Sequence, residues 1–223
     1  MSLLIDLINT EIEKHSLLKH RFYQLWQEGK LTLDHLAGYS KEYYQLVKIV
    51  PEMVQYTLNN NSDPHSGNLI KTTLREENEH VELWKKFASS LNVSAEDLNN
   101  YSPDSLTTKA IDNLLKLCTS SFIEGVAAMY AFEKELPKIS ETKSHGLRKF
   151  YGLHEAAAHE YFDTHKEVDI YHAKIWENIL NNCPEDIQEK ALNAAKNSLK
   201  AQNELLDAVQ KRYVDGTLVH TEQ

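Results

Sequence analysis

The chain has 223 residues and a formal net charge of −9, a size that fits one ordinary domain with a substantial hydrophobic core. The acidic balance disfavours a general nucleic-acid or anionic-membrane surface, because phosphate contacts require clustered lysines and arginines. No segment resembles a signal peptide, no apolar run is long enough to cross a bilayer, and Cys118 and Cys183 follow no redox or metal motif. We therefore expect a cytoplasmic protein without nucleic-acid or membrane partners.

Scarce glycine and proline and apolar residues at helical spacing predict helices along the whole chain. Gly29 ends the first helix, Thr32 caps the second, Pro51 bends it, and Pro137 interrupts a later one. The predicted helices cover, in chain order, residues 2–27, 32–58, 68–91, 105–136, 139–151, the segment ending near 181, and 184–216. Strand alternation is not convincing anywhere. We predict an all-α, single-domain bundle of about seven helices over 1–223, with a frayed tail at 216–223.

Residues 161–176, YFDTHKEVDIYHAKIW, carry the clearest chemical pattern in the sequence. Offsets of four and seven residues put His165, Asp169 and His172 within about 60° of arc on one face of a helix. Two imidazoles and a carboxylate aligned in this way are typical of half a metal site for iron, manganese or zinc.

Two other predicted helices supply residues that complete such a site. Glu76 and His80, in LREENEHVELW, are four residues apart and share a helix face, and Glu133 ends the apolar run AMYAFE. With the first three residues they make three carboxylates and three imidazoles, the kind of set that binds two iron or manganese ions in helical bundles. Glu77, three residues before His80, competes with Glu76, and spacing alone leaves the choice open.

The remaining candidates have plainer predicted roles. His154 and His159 are five residues apart, about 140° on a helix, so we predict that both lie on the surface. Tyr23, within HRFYQLW, is by default a core-edge tyrosine, and Lys143 is by default an exposed lysine. The other histidines predicted to be surface residues are His15, His20, His35, His65, His145 and His220.

Several motifs together resemble one known family. They are HRFYQLW, YSKEYY, EEN with HVELW, GVAAMYAFE with LPKI, and YFDTHKEVDIYHA, in the same order over most of the chain. The sequence is similar to the family of the chlamydial protein associating with death domains. That resemblance implies a haem-oxygenase-like helical fold without haem. It also implies a dinuclear iron or mixed manganese–iron centre that activates O2 with electrons from an external reductant.

The same resemblance implies an activity and roles for individual residues. The activity is a self-sacrificing synthesis of 4-aminobenzoate, the aromatic precursor of folate. Tyr23 falls on the tyrosine whose ring is excised, and Lys143 falls on the lysine that donates the amino nitrogen. The implied metal ligands match the set reached from spacing: Glu76, His80, Glu133, His165, Asp169 and His172.

Two positions depart from the family pattern. The family has three more residues between the positions of Glu76 and His80. That difference is about 300° of helix rotation, so the pair still faces one way. Glu77 would swing away from its counterpart, which favours Glu76 as the ligand. Phe132 stands where a tyrosine is expected.

Two other functions are compatible with the sequence. One is a thiaminase-like or quinone-cofactor-biosynthesis (PqqC-like) enzyme of the same fold without a dinuclear metal site. Neither cysteine has a nucleophile setting, however, and only four arginines are available to grip a polycarboxylate. The other is an acidic interaction module that binds death domains. In each case we expect a homodimer.

Overall fold

The structure, a computed structural model, describes residues 2–216. Within these residues the chain forms helices and no strand. The α-helices in chain order are α1 (Leu3–Lys14), α2 (Arg21–Gln27), α3 (Leu33–Val47), α4 (Val50–Asn59), α5 (Pro64–Ser90), α6 (Ala95–Asn99), α7 (Ser105–Ser120), α8 (Phe122–Glu133), α9 (Leu136–Phe150), α10 (Glu160–Asn181) and α11 (Gln188–Val209). Turns of 3₁₀ helix lie at Leu17–Lys19, Ala156–Ala158 and Glu185–Ile187, and a π-helical segment lies at Gln210–Asp215.

The prediction of one helix over 2–27 is wrong, because polar side chains begin new helical segments inside it. The Ser16 hydroxyl accepts the N–H of Leu18 and opens a 3₁₀ turn. The imidazole of His20 accepts the N–H of Phe22 at the start of α2. These side chains satisfy backbone donors at the new helix ends. As a result α1 packs on α11, whereas α2 packs on α9.

Other boundaries shift because prolines begin helices here, where their fixed φ and missing N–H cost nothing. The predicted helix over 32–58 divides into α3 and α4, with Pro51 in the first turn of α4. The Asp63 carboxylate caps α5, which begins at Pro64, earlier than predicted. Pro137 lies in the first turn of α9 instead of interrupting a helix.

Helix α8 is the centre of the bundle. It packs on α4, α7, α10 and α11, and every residue from 125 to 133 is buried. Ser121 separates it from α7, since its extended backbone ends one helix and its hydroxyl caps the next. The all-α bundle is confirmed, with more helices than predicted because the long predicted helices divide. Beyond Gly216 the predicted frayed tail lies outside the described residues.

None of the described helices has both the length and the apolar composition that a membrane crossing requires.

Candidate metal centre and tyrosine–lysine pocket

Three helices bring the predicted metal-binding side chains together. Helix α10 packs on both α5 and α8, and the inward faces of all three helices meet in the core. Each of the residues concerned is at most 5% exposed as a whole residue. They include five of the six predicted ligands, which are His80 from α5, Glu133 from α8, and His165, Asp169 and His172 from α10. The sixth residue is Glu77 from α5, which competes with the predicted Glu76.

These donors form two overlapping groups. Glu77, His80 and His165 place one ligand atom each within 4.8 Å of the others, and so do Glu77, Asp169 and His172. Glu77 belongs to both groups. Its Oε2 lies 3.4 Å from His80 Nδ1, and its Oε1 lies 3.3 Å from His172 Nδ1. One carboxylate thus directs an oxygen into each group, which is the arrangement that a shared ligand between two cations requires.

Glu133, from α8, lies beside the second group. Its Oε2 lies 3.9 Å from His172 Nδ1, and Asp169 Oδ1 lies 3.5 Å from the same nitrogen. The indole of Trp176 donates a hydrogen bond of 2.7 Å to Glu133 Oε2. This bond fixes the orientation of the carboxylate, as hydrogen-bond donors behind metal ligands do.

Several buried polar atoms of the donor set lack a hydrogen-bond partner within the protein, as expected of atoms that bind a cation. The atoms are His80 Nδ1, His172 Nδ1, Glu133 Oε1 and both carboxylate oxygens of Asp169. Buried polar atoms are normally satisfied, and leaving them unpaired is costly. Imidazole nitrogens and carboxylate oxygens converging on common points are ligands for iron, manganese or zinc. The residues therefore fit a metal site.

Electrostatics at the centre favour positive charge. Burial raises the pKa of Glu133 and of Asp169 above their ordinary values. Burial also acts to raise the pKa of Glu77, but the adjacent imidazoles of His172 and His80 lower it overall. For His172, burial acts to lower the pKa, and the surrounding carboxylates outweigh burial and raise it to about 12. Three carboxylates in one buried volume hold cationic charge strongly.

His165 is oriented by its own helix. Its Nδ1 lies 2.7 Å from the carbonyl oxygen of Tyr161. A carbonyl only accepts, so Nδ1 carries the proton and Nε2 keeps its lone pair. Burial lowers the pKa of His165, which favours the neutral ring that ligates metals.

The structure departs from the expectation that Glu76 rather than Glu77 is the ligand. The Glu76 side chain is 35% exposed, against 6% for Glu77, and Glu76 belongs to neither donor group. The buried line along α5 explains the difference, because a helix buries one face at steps of three and four. Its members are Ile70, Thr73, Glu77, His80, Trp84 and Phe87. Glu76 lies at the edge of this face, with Oε2 2.8 Å from His172 Nε2.

A second buried cluster joins α2, α3 and α9. Lys143 is 4% exposed, so the default expectation of an exposed lysine is wrong. Its Nζ lies 4.4 Å from the ring centroid of Tyr23, 4.8 Å from that of Tyr39 and 5.0 Å from that of Tyr43. Nζ also donates a hydrogen bond to the Tyr39 hydroxyl. Burial lowers the pKa of Lys143 well below its ordinary value, which favours the neutral amine.

Tyr23 is buried beside this amine. Its hydroxyl lies 3.3 Å from the Tyr39 hydroxyl, and burial raises the pKa of Tyr23 well above its ordinary value. Trp26, one turn along α2, donates from Nε1 to the carbonyl oxygen of Lys143 at 3.3 Å. A Cβ atom on Gly146 would lie 2.7 Å from the Trp26 indole, so glycine permits the close approach of α9 to α2.

Aromatic side chains connect the pocket with the metal donors. The ring of Tyr43 stacks on Trp84 at 5.2 Å, Trp84 contacts Tyr161 at 4.7 Å, and Tyr161 contacts His165 at 4.0 Å between ring centroids. Phe132 is also buried, but it offers no hydroxyl.

His159 is a buried histidine that sequence reasoning placed on the surface. It is 2% exposed, with Nδ1 3.0 Å from Ser144 Oγ and Nε2 3.0 Å from the Leu153 carbonyl oxygen. The 140° estimate assumed one helix through 154–159, whereas α10 begins only at Glu160. The exposed histidines predicted at His15, His65, His145 and His154 are confirmed, and His20 and His35 are half-buried. His220 lies outside the described residues.

Comparisons with known proteins identify the family of the chain. A family model described as iron-containing redox enzyme matches residues 38–203. A 4-aminobenzoate synthase from Chlamydia pneumoniae is 33% identical over 183 residues, which are 76% of this chain and 77% of the relative. A 4-aminobenzoate synthase from Nitrosomonas europaea is 30% identical over 224 residues, which are 92% of this chain and 90% of the relative.

The fold has a match among solved structures. A domain of unknown function with a heme oxygenase-like fold, from Shewanella denitrificans, has a TM-score of 0.82 at 18% identity, covering 100% of this chain and 97% of that chain. The expected fold and the resemblance to chlamydial proteins are thus confirmed. The chain belongs to the family of iron-containing redox enzymes with a haem-oxygenase-like fold, and it is an oxidoreductase similar to 4-aminobenzoate synthases.

Proposed function

We propose that the protein is a self-sacrificing oxygenase that forms 4-aminobenzoate from its own side chains, the ring from Tyr23 and the nitrogen from Lys143. One observation carries the proposal: a buried amine nitrogen lies 4.4 Å from the centroid of a buried phenol ring. A lysine with only a structural role would extend its charged end to solvent. The names of the relatives support the product.

The proposed cofactor is a pair of iron or manganese ions. The donors Glu77, His80 and His165 would hold one ion, and Asp169, His172 and Glu133 would hold the other with the shared Glu77. When bound, such ions supply the redox chemistry with O2 that side chains cannot perform, with electrons from an external reductant. The orphaned buried atoms of these donors support the assignment.

The pocket residues have separate tasks in this proposal. Lys143 is kept neutral by burial, so its lone pair is available to form a bond to carbon. The Tyr39 hydroxyl contacts both Lys143 Nζ and the Tyr23 hydroxyl, and it can hold or pass a proton between them. The rings around Lys143 fix the amine against Tyr23 and exclude water from the reacting groups.

The alternative enzyme classes fit the structure less well. A thiaminase-like reaction requires an activated thiol, but burial raises the pKa of Cys118 to about 12 and also raises the pKa of Cys183.

The homodimer and the death-domain partner stay predictions. Light scattering tests the first, and a pull-down at physiological salt tests the second.

The proposed function is tested by loading metal-free protein with iron, manganese or both, and then adding a reductant and O2. We expect at most one molecule of 4-aminobenzoate per chain. Peptide mass spectrometry is expected to show loss of the ring from the Tyr23 peptide and a changed Lys143 peptide. Product formed while the Tyr23 peptide stays intact would sink the proposed source of the ring. Tyr56→Phe, at an exposed tyrosine, is the matched control for Tyr23→Phe.

A further inference from the structure

The two ring nitrogens of His172 meet carboxylates on opposite sides. Nε2 lies 2.8 Å from Glu76 Oε2, which is an ordinary hydrogen-bond length. Nδ1 faces Glu77 Oε1 at 3.3 Å, Asp169 Oδ1 at 3.5 Å and Glu133 Oε2 at 3.9 Å. The ring therefore separates one outer carboxylate from the three inner ones.

We propose that Glu76 is a positioning residue that acts through His172 and does not itself bind metal. Its carboxylate accepts the Nε2–H of His172, and this fixes the tautomer in which Nδ1 presents its lone pair to the metal. The inference rests on the proposed function, since it requires a metal ion at this site. Glu76 and Glu77 then have different tasks. Glu76 accepts a hydrogen bond from His172, and Glu77 is the ligand shared by the two donor groups.

The distances on the two sides of the ring support this division. A neutral imidazole has one proton, and an ionised carboxylate can only accept. Nδ1 has no hydrogen-bond partner, whereas Nε2 has one. Donors bound to one ion at about 2.1 Å lie roughly 3 to 3.5 Å apart, close to the separations on the Nδ1 side.

Exposure separates the two glutamates in the same way. The Glu76 side chain is 35% exposed, so water solvates its charge without help from a metal. The Glu77 side chain is 6% exposed and needs cationic neighbours on both sides. His165 has the equivalent outer acceptor in the Tyr161 carbonyl oxygen. Outer acceptors of this kind orient ligating histidines in metal sites generally.

The test uses zinc ions as a diamagnetic probe and protein labelled with ¹⁵N-histidine. Nitrogen NMR reports the tautomer of His172, and elemental analysis gives the zinc bound per chain. For the wild type we expect a protonated Nε2, a zinc-shifted Nδ1, and two zinc ions per chain. Glu76→Gln keeps an acceptor oxygen, so it is expected to keep both ions and the tautomer. Glu76→Ala is expected to keep both ions at a 10- to 100-fold weaker affinity.

Two further variants make the result specific. Glu77→Gln is expected to lose at least one zinc ion, and Glu79→Gln, at an exposed position on the same helix, is expected to match the wild type. If Glu76→Gln binds one ion fewer than the wild type, or if zinc binds Nε2 of His172, this inference is overturned. A wild type that binds no zinc, iron or manganese would overturn the proposed metal centre as well, so the two failures are distinguishable.

Discussion

The side-chain nitrogen of Lys143 lies 4.4 Å from the ring centroid of Tyr23, and both side chains are buried. Burial is the cause of the lowered pKa of Lys143, and its hydrogen-bond acceptor is the neutral Tyr39 hydroxyl. Burial thus favours an uncharged amine beside the phenol. This arrangement costs stability, and the cost can be measured.

Replacing Lys143 by Met is expected to stabilise the metal-free protein while abolishing 4-aminobenzoate formation. Methionine has a similar volume and no amine to desolvate, so we expect a gain on the order of 2 kcal/mol in the free energy of unfolding. Denaturant unfolding measures it. Lys138→Met, at an exposed position on the same helix, is expected to change stability by less than about 0.5 kcal/mol.

The stability gain from Lys143→Met is also expected to depend on pH. Between the lowered pKa of the buried amine and the ordinary value of 10.5, the unfolded lysine is protonated and the buried amine is not. The native wild type therefore binds fewer protons than its unfolded state, and its stability rises with pH. The difference in free energy of unfolding between Lys143→Met and the wild type should therefore shrink by up to about 1.4 kcal/mol per pH unit as the pH approaches 10.5. A constant gap would contradict a neutral Lys143.

The Tyr39 hydroxyl is expected to matter for the reaction more than for the fold. Tyr39→Phe removes the group that contacts both Lys143 and Tyr23, while the ring stays in the core. We expect a fall of about 10²-fold in the single-turnover rate of product formation. Tyr44→Phe, on the same helix, is the control. Equal rates in the two variants would remove Tyr39 from the proposed mechanism.

A methyl group on Gly146 is expected to push the pocket apart. The new Cβ would lie 2.7 Å from the Trp26 indole, so Gly146→Ala should cost about 1–3 kcal/mol of stability and slow the reaction. Trp26→Phe opens space at this contact. A double-mutant cycle should therefore show a favourable coupling of at least about 0.5 kcal/mol. Additive effects would show that Gly146 does not set the approach of α9 to α2.

Removing a buried carboxylate from the metal centre is expected to separate stability from metal binding. Both oxygens of Asp169 lack hydrogen-bond partners, and burial raises its pKa. Asp169→Asn should leave the metal-free protein at least as stable as the wild type. Manganese at 100 times its Kd should raise the free energy of unfolding of the wild type by about 2.7 kcal/mol. The same concentration should raise that of the variant by less than half as much. Thermal unfolding with and without manganese decides between these outcomes.

The metal-binding face of α10 could be predicted from sequence because helix periodicity alone aligns His165, Asp169 and His172. Glu133 could be predicted because a charged residue ends a strongly apolar run, and both α8 and its burial follow from that run. Which of Glu76 and Glu77 faces the other donors depends on the rotation of α5 about its axis. That rotation is set by packing of Trp84 and Phe87, and the apolar spacing around them was the available signal.

The tyrosine–lysine pocket could not be derived from local pattern. Lys143 lies in the polar segment KISETKSHG, and its burial arises from tertiary contacts with α2 and α3. Helix geometry predicts the wrong environment for His159, because the residues before α10 form a loop and a 3₁₀ turn. For Lys143 the deciding contacts join residues far apart in sequence.

Isotope labelling tests the central claim most directly. Protein is produced with ¹³C-ring tyrosine and ε-¹⁵N-lysine, loaded with iron and manganese, and allowed a single turnover with reductant and O2 in unlabelled buffer. We predict that the released 4-aminobenzoate carries both labels, and that Tyr23→Phe and Lys143→Met release none. Labelled product from either variant, or wild-type product without the ¹⁵N label, would contradict the account.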